Sequence, residues 1–454
     1  MRFYSFDGML SHYAEQTPNA PALLYAAPDR HVCAYAALRE RVNRRADALQ
    51  KQGKTCIGIL ADGSFDCVVT IFAAVRAGLQ VVLLDENLPF ELLLEQIAST
   101  DVDTLWGDPE LCDELAPRLT DGLSPASSGK GRILFFTSGT TERAKAVVLT
   151  DRSLMASAYN GGCLLPLLPH DTLLCLLPLH HVFGFVCGLL WGLSFGCCVA
   201  LGRGPRHCAD DCAFFQPTTI SAVPLLWGFL LKQRALNREL RLVLLGAGDC
   251  SKPLLDAAKP LGIRICFGYG LTETSSGVAL GIGDDPYAMT VCPDDTITLA
   301  PDGELLIRTP TCMMQGYYGR EADTQCVLQN GVLHTGDLGR IDEQGRVYIT
   351  GRKKEILVLP DGTKLFLPEY EREIAALLGT GELCIVQKNG VPMLVMQGNE
   401  GLAAREVLQK LLPALETRPR GQQLKGVLFV SHPLPRTATG KIKRWELQQE
   451  VESL

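Results

Sequence analysis

The sequence predicts an α/β protein: a large N-terminal domain of parallel-rich sheets flanked by helices, a small β-rich subdomain, and an α+β C-terminal domain. Three observations carry that expectation. Apolar strand-like runs alternate with helical runs up to about Gly270. From about Thr296 the texture changes to short strands between Asp/Gly turns, as in APDGELLIR and IDEQGRVYIT. After Gly351 the chain carries strands and helices of its own. At 454 residues it is also too long for one ordinary core.

Taken in order, ALRERVNRRADALQ (37–50) has apolar positions at helical spacing with arginines outward. TCIGILA (55–61) reads as a short buried strand, and DCVVTIFAAVRAG (66–78) as a helix stopped by Gly78. QVVLLD (80–85) is the next strand and PFELLLEQIAST (89–100) the next helix. TDGLSPASSGKGR (120–132) is a polar loop. The alternation resumes with LRLVLLGAG (240–248) as strand, KPLLDAAKPLG (252–262) as helix and IRICFGYG (263–270) as strand and turn.

With 47% hydrophobic and 20% charged residues, the composition is that of a soluble globular protein. A net charge of −7 argues against nucleic acid as a partner. Seventeen cysteines, many in apolar company, and a start without an apolar secretory core point to the reducing cytoplasm. His207, Cys208 and Cys212 have metal-like spacing but no fourth ligand nearby, so packing is the better reading than zinc. Val182–Leu201 is uncharged and long enough to span a bilayer. Its glycines at 184, 188, 192 and 196 could form a close helix–helix face in lipid or in a protein core, and the motif-bearing segments on both sides of it favour a buried helix running into a buried strand, without stable membrane insertion.

The most informative segment is FFTSGTTERAKAVVLT (135–150). Thr137, Ser138, Gly139, Thr140 and Thr141 place four hydroxyls and a flexible backbone in five positions, and Lys145 follows. Hydroxyls, bare N–H groups and an ammonium are the donors a polyphosphate needs. A Ser/Thr-rich surface turn would look the same. Three further segments separate the two readings: FGYGLTET (267–274), HTGDLGRID (334–342) with ITGRKKEI (349–356), and PRTATGKIKR (435–444). In this order the four motifs resemble the adenylate-forming superfamily of acyl- and aryl-CoA synthetases, luciferases and peptide-synthetase adenylation domains. The resemblance covers nearly the whole chain.

That resemblance implies residues 1–351 as an ATP- and acyl-binding domain, with about 296–351 as its β-rich part. It implies a hinge at 352–354, most like Lys354, and a mobile C-terminal domain at 355–454. It implies activation of a carboxylic acid by ATP and Mg2+ to acyl-AMP, then transfer to a thiol. The turn from Thr137 to Lys145 would wrap the β- and γ-phosphates. Here Glu142, Ala144 and Ala146 stand where the commoner pattern has Gly, Pro and Gly. Thr272 matches an α-phosphate contact and Glu273 a magnesium ligand, where a helix-capping acid is the alternative. Tyr269, beside Gly270, matches the aromatic that stacks on adenine, and Gly246, Ala247 and Gly248 match the turn at the adenine and acyl pocket. Asp337 matches the acid that accepts both ribose hydroxyls, and Arg352 a second ribose contact; surface ion pairs are the alternative for both. His181 in PLHHVFGF matches a histidine gating the thiol tunnel. Lys441 resembles the catalytic lysine delivered by the C-terminal domain, whose ammonium would cancel repulsion between two reacting anions. Lys364 would help orient substrate or thiol.

PLHHVFGF contains no acid to hold an α-ammonium, so the substrate is expected to be a fatty or aryl acid without an α-amino group. The acceptor is coenzyme A or the phosphopantetheine of an acyl carrier protein. A catalytically silent adenylate-binding module is the remaining reading.

Overall fold

The computed structural model describes the chain apart from residues 27–28, 123–130, 138–143, 249, 360–363, 399–402, 417, 420–421, 437–441 and 454. Two large sheets dominate. A nine-stranded sheet runs in the order Thr290–Val291, Ser276–Gly281, Arg264–Leu271, Leu242–Leu245, Thr219–Ala222, Thr172–Cys175, Cys198–Leu201, Pro21–Ala26, Arg30–Ala34. Pairings from Arg264–Leu271 to Pro21–Ala26 are parallel, and both ends are antiparallel. A six-stranded sheet runs Gly316–Tyr317, Ala146–Thr150, Arg132–Phe136, Gln80–Leu84, Cys56–Leu60, Thr104–Trp106. CIGIL, QVVLL and LVLL are buried at every position, as sheets covered on both faces require.

One continuous core lies between the sheets, with Ile57, Val81 and Ile133 from one meeting Leu173, Val199 and Leu244 from the other. The opposite faces are covered by separate clusters around Trp227 and Phe215 and around Leu93 and Ile97. The helices follow local chemistry. Phe65–Ala77 opens with Ser64 accepting from the Cys67 N–H and closes on Gly78, whose φ of 84° suits glycine. The helix expected over 252–262 is shorter, Lys252–Asp256 followed by a single turn Lys259–Leu261. Pro260 lacks an N–H and its ring crowds the preceding turn.

The apolar stretch 182–201 is also more broken than expected. It forms a widened helical segment Gly184–Leu190, a turn Trp191–Ser194 and the strand Cys198–Leu201. Its glycines lie against the sheet and neighbouring turns: a Cβ on Gly184 would come within 2.3 Å of the Pro178 carbonyl, and one on Gly192 within 2.6 Å of Val199. Among the described residues no helix is long and apolar enough to cross a membrane. Cys208 and Cys212 are buried in the cluster with Phe215, as packing residues.

A five-stranded antiparallel-rich sheet follows, built from Thr296–Leu299, Glu304–Arg308, Val332–Ile341, Leu328–Gln329 and Val347–Arg352. Beyond it, Leu383–Lys388, Val391–Gln397 and Gly426–Val430 make a three-stranded sheet whose core contains Tyr370, Ile374, Leu394 and Leu411. Arg444 anchors the last helix there: its Nη2 lies 2.9 Å from Glu371 Oε2 and its Nη1 2.6 Å from the Ile385 carbonyl.

Asp295, where the helix Asp151–Leu164 meets the β-rich part, is buried, with its Oδ2 2.9 Å from Asn160 Nδ2. Burial pushes its carboxyl up to about 7, and neighbouring Asp294 adds to the shift. The native state therefore holds a proton that the unfolded chain releases near pH 4, so the penalty grows as pH rises to about 7 and is constant above. We predict that Asp295→Asn raises stability by on the order of 3 kcal/mol at pH 8 and by almost nothing near pH 4. Thermal melts across that range check this; a gain independent of pH would contradict it.

Candidate active site

The matched residues collect where strands of both sheets end, the edge at which open α/β sheets bind ligands. Thr137 follows Arg132–Phe136, His181 follows Thr172–Cys175, and Gly246 follows Leu242–Leu245. Tyr269 to Glu273 lie at the end of Arg264–Leu271 and just beyond. The hydroxyl-rich turn is closed at its base: the Thr137 N–H donates to the Lys145 carbonyl at 2.9 Å, and the Lys145 N–H to Thr137 Oγ1 at 3.1 Å. Ser138, Gly139, Thr140 and Thr141 lie outside the described residues, as does Lys441.

Lys145 is joined to Glu273 by a residue the sequence did not single out. Gly316–Tyr317 pairs antiparallel with Ala146–Thr150, which brings Tyr317 beside the end of the turn. The Lys145 ammonium lies 5.2 Å from the Tyr317 ring centroid and 3.5 Å from Asp323 Oδ2. The Tyr317 hydroxyl donates to Glu273 Oε1 at 2.7 Å. Glu273 sits in the one-turn helix Thr272–Thr274, whose Glu273 carbonyl accepts from the Met314 N–H at 2.8 Å.

The turn carrying Thr272 and Glu273 is held in an uncommon backbone shape. Ser275 and Ser276 have φ of 54° and 101°, a region L-residues seldom occupy without tertiary support. That support is the Ser275 hydroxyl on the Cys312 carbonyl at 2.7 Å and the Thr274 hydroxyl on the Ser276 carbonyl at 2.8 Å. Gly270 lets the strand approach this turn, since a Cβ there would lie 1.8 Å from the Ser276 carbonyl oxygen.

A second cluster unites Tyr269, Asp337 and Arg352. Register places Asp337 opposite Arg352 in the β-rich sheet, with Arg352 Nε 2.7 Å from Asp337 Oδ1. The Tyr269 hydroxyl crosses from the nine-stranded sheet to donate to Asp337 Oδ2 at 2.8 Å. Burial, then the Asp337 carboxylate, pushes the phenol well above its ordinary value, so it remains a donor. Asp337 is 1% exposed. It is a buried anion, with the Tyr269 hydroxyl donating to one oxygen and the half-exposed Arg352 guanidinium paired ionically with the other.

His180 and His181 pack edge to face with centroids 4.4 Å apart, and His180 Nε2 lies 3.6 Å from Asp85 Oδ2 of the other sheet. Burial pushes His180 down to about 4, with His181 adding and Asp85 opposing, and burial pushes His181 down as well. Both imidazoles are neutral at pH 7. Phe183, two residues on, faces the glycine turn: a Cβ on Gly246 would lie 3.1 Å from its ring, and one on Gly248 3.3 Å from Pro224. The left-handed residue of this turn is Ala247, at φ 59°, so the glycines supply clearance and the alanine the bend.

Lys353 ties the strand end near the expected hinge to the β-rich sheet, with its ammonium 2.6 Å from Asp302 and 2.7 Å from Glu304. Lys364 begins the strand Lys364–Phe366, which pairs with Ile356–Val358. Tyr317, Asp323, Asp85 and Phe183 were missed from sequence because each acts through a partner tens of residues or more away. Only Phe183 carried a signal, its place beside His181.

A family model described as AMP-binding enzyme matches residues 10–318. A 2-succinylbenzoate–CoA ligase of Bacillus cereus is 28% identical over 439 residues, covering 88% of this chain and 89% of its own. The o-succinylbenzoate CoA synthetase of Bacillus subtilis, solved with its acyl-adenylate intermediate, superposes with a TM-score of 0.82 at 23% identity, covering 97% of each chain. An anthranilate CoA ligase solved with anthranoyl-AMP gives 0.82 at 18% identity, covering 100% of this chain and 98% of its own.

Proposed function

The chain belongs to the AMP-binding enzyme family, and on that premise we propose that it is an AMP-forming ligase that joins an aryl acid without an α-amino group to coenzyme A. The observation that carries this reading is the joining of Lys145 to Glu273 through Tyr317, which links a hydroxyl-rich turn to a hard carboxylate at one sheet edge. The named relatives above are coenzyme A ligases for aryl acids, which favours coenzyme A over a carrier protein and an aryl over a fatty substrate.

The residues fit ATP with Mg2+. Thr137 and Lys145 supply a donor and a positive charge for the terminal phosphates, and Glu273 is a single carboxylate of the kind that holds Mg2+ together with substrate phosphates. Bound Mg2+ would neutralise phosphate charge. Asp337, held by Tyr269 and Arg352, would accept the ribose hydroxyls. Gly246 and Gly248 would leave room for the adenine and the acyl group. The acid's carboxylate attacks the α-phosphorus, and pyrophosphate leaves with the electrons of the broken P–O bond. Two anions must meet, so we assign Lys441 to the gap between them. We further propose that residues 355–454 rotate about 352–354 after adenylation, withdrawing Lys441 and letting the thiol enter past neutral His181.

The test is pyrophosphate release from ATP over a panel of aryl, fatty and amino acids, with and without coenzyme A. Release with aryl acids and thioester formation only with coenzyme A are expected. Release with none, or with amino acids alone, would sink the proposal.

A further inference from the structure

We propose that Asp323 is a positioning residue that competes with the terminal phosphates for Lys145, so that pyrophosphate is held weakly enough to leave. This rests on the phosphate site read above and adds a means of emptying it. The Lys145 ammonium lies over the Tyr317 ring, 5.2 Å from its centroid, and 3.5 Å from Asp323 Oδ2. At 3.5 Å the second contact is ionic and not a firm hydrogen bond, so it opens at small cost. The same carboxylate oxygen lies 3.4 Å from Arg320 Nη1. When Lys145 turns to a phosphate, Asp323 therefore still has a cation beside it.

The fold holds Asp323 in this place. Gly316–Tyr317 pairs with Ala146–Thr150, and the helix Glu321–Val327 follows after a short turn. Thr324 Oγ1 accepts from the Tyr317 N–H at 2.9 Å and donates to the Arg320 carbonyl at 3.0 Å, which ties the helix to the strand. Gly316, at φ 143°, admits this close packing, since a Cβ there would lie 3.0 Å from Thr324 Cγ2. An acid in the first turn of a helix is ordinary, because the unpaired N–H groups there favour negative charge. Glu321 already meets that need from an exposed position. Asp323 is the acid of that turn that reaches Lys145.

Charge explains what the contact does. The Lys145 side chain is only 19% exposed, so water alone poorly replaces a phosphate that departs. With Asp323 to return to, the ammonium releases pyrophosphate without being left uncompensated. The same competition acts on binding: a ligand whose partner is engaged part of the time binds with its affinity reduced by that fraction. A partly exposed ion pair is worth up to about fivefold, enough to loosen the product and too little to exclude the nucleotide. ATP also has the proposed ribose and adenine contacts, which pyrophosphate lacks.

The experiment measures by calorimetry, at low salt, the dissociation constants of magnesium pyrophosphate, MgATP and AMP. Asp323→Asn should bind pyrophosphate and ATP about fivefold more tightly than the native chain. Its affinity for AMP should be unchanged, because AMP lacks the phosphates that reach Lys145, and a general disturbance of the fold would not spare it. Asp323→Glu, which keeps the charge, should stay near the native values. In a Lys145→Ala background the gain from Asp323→Asn should vanish, since the carboxylate then has no ammonium to withhold. Unchanged or weaker pyrophosphate binding in Asp323→Asn, an equal gain for AMP, or a gain that persists without Lys145 would overturn the proposal. Failure of the native chain to bind either ATP or pyrophosphate would instead overturn the phosphate-site reading, and this with it.

Discussion

Replacing Lys441 with alanine should lower acid-dependent pyrophosphate release by roughly three orders of magnitude, the upper range for removing one preorganised charge-stabilising donor. The same variant should still convert supplied acyl-adenylate and coenzyme A to thioester at close to the native rate. The asymmetry follows from the chemistry of the two steps. In the first, a carboxylate approaches a phosphorus already ringed by anionic oxygens, so a long-stemmed ammonium between them removes most of the repulsion. In the second, a thiol attacks a mixed anhydride whose leaving group is AMP, and the proposed rotation has taken Lys441 away. Equal loss of both half-reactions would show that Lys441 serves structure or both steps, and the proposed domain alternation would fail.

The second large effect should come from Asp337→Ala. Its carboxylate is almost fully buried, with the Tyr269 hydroxyl on one oxygen and the Arg352 guanidinium beside the other. If it also accepts two ribose hydroxyls, its removal costs two charge-assisted hydrogen bonds, and kcat/KM for ATP should fall at least about a hundredfold. A substrate comparison isolates this contribution. The native enzyme should strongly prefer ATP to 2′,3′-dideoxy-ATP, and the variant should scarcely distinguish them. Tyr269→Phe is the control for structure, since it removes the donor that orients Asp337 but leaves the carboxylate in place. Discrimination between the two nucleotides that persisted in Asp337→Ala would rule the ribose role out.

Much of this site is legible in the sequence, but unevenly. The strands Cys56–Leu60 and Gln80–Leu84 and the helix Phe65–Ala77 fall within a residue of the boundaries read from apolar runs and Gly78. Such signals are local: burial on both faces demands continuous apolar residues, and a left-handed helix end demands glycine. Pro260 shortened a helix that apolar spacing alone had extended, because a missing N–H outweighs periodicity. In the stretch 182–201 composition could not separate a membrane span from a core helix. Contacts between its glycines and the sheet distinguish them, and those contacts join residues far apart in sequence.

The motifs at 137–145, 267–274 and 334–352 were readable because each packs its chemistry into a few consecutive residues, where backbone geometry alone sets the spacing. By itself, then, the sequence determined the alternation of elements, the apolar core strands and the short segments that carry charge and hydroxyls. Tertiary structure alone decided that Tyr317 joins Lys145 to Glu273, and that Tyr269 and Arg352 share Asp337. Those partnerships depend on which strands and helices become neighbours, and that is fixed by burial summed over the whole core, in which no single residue announces its partner.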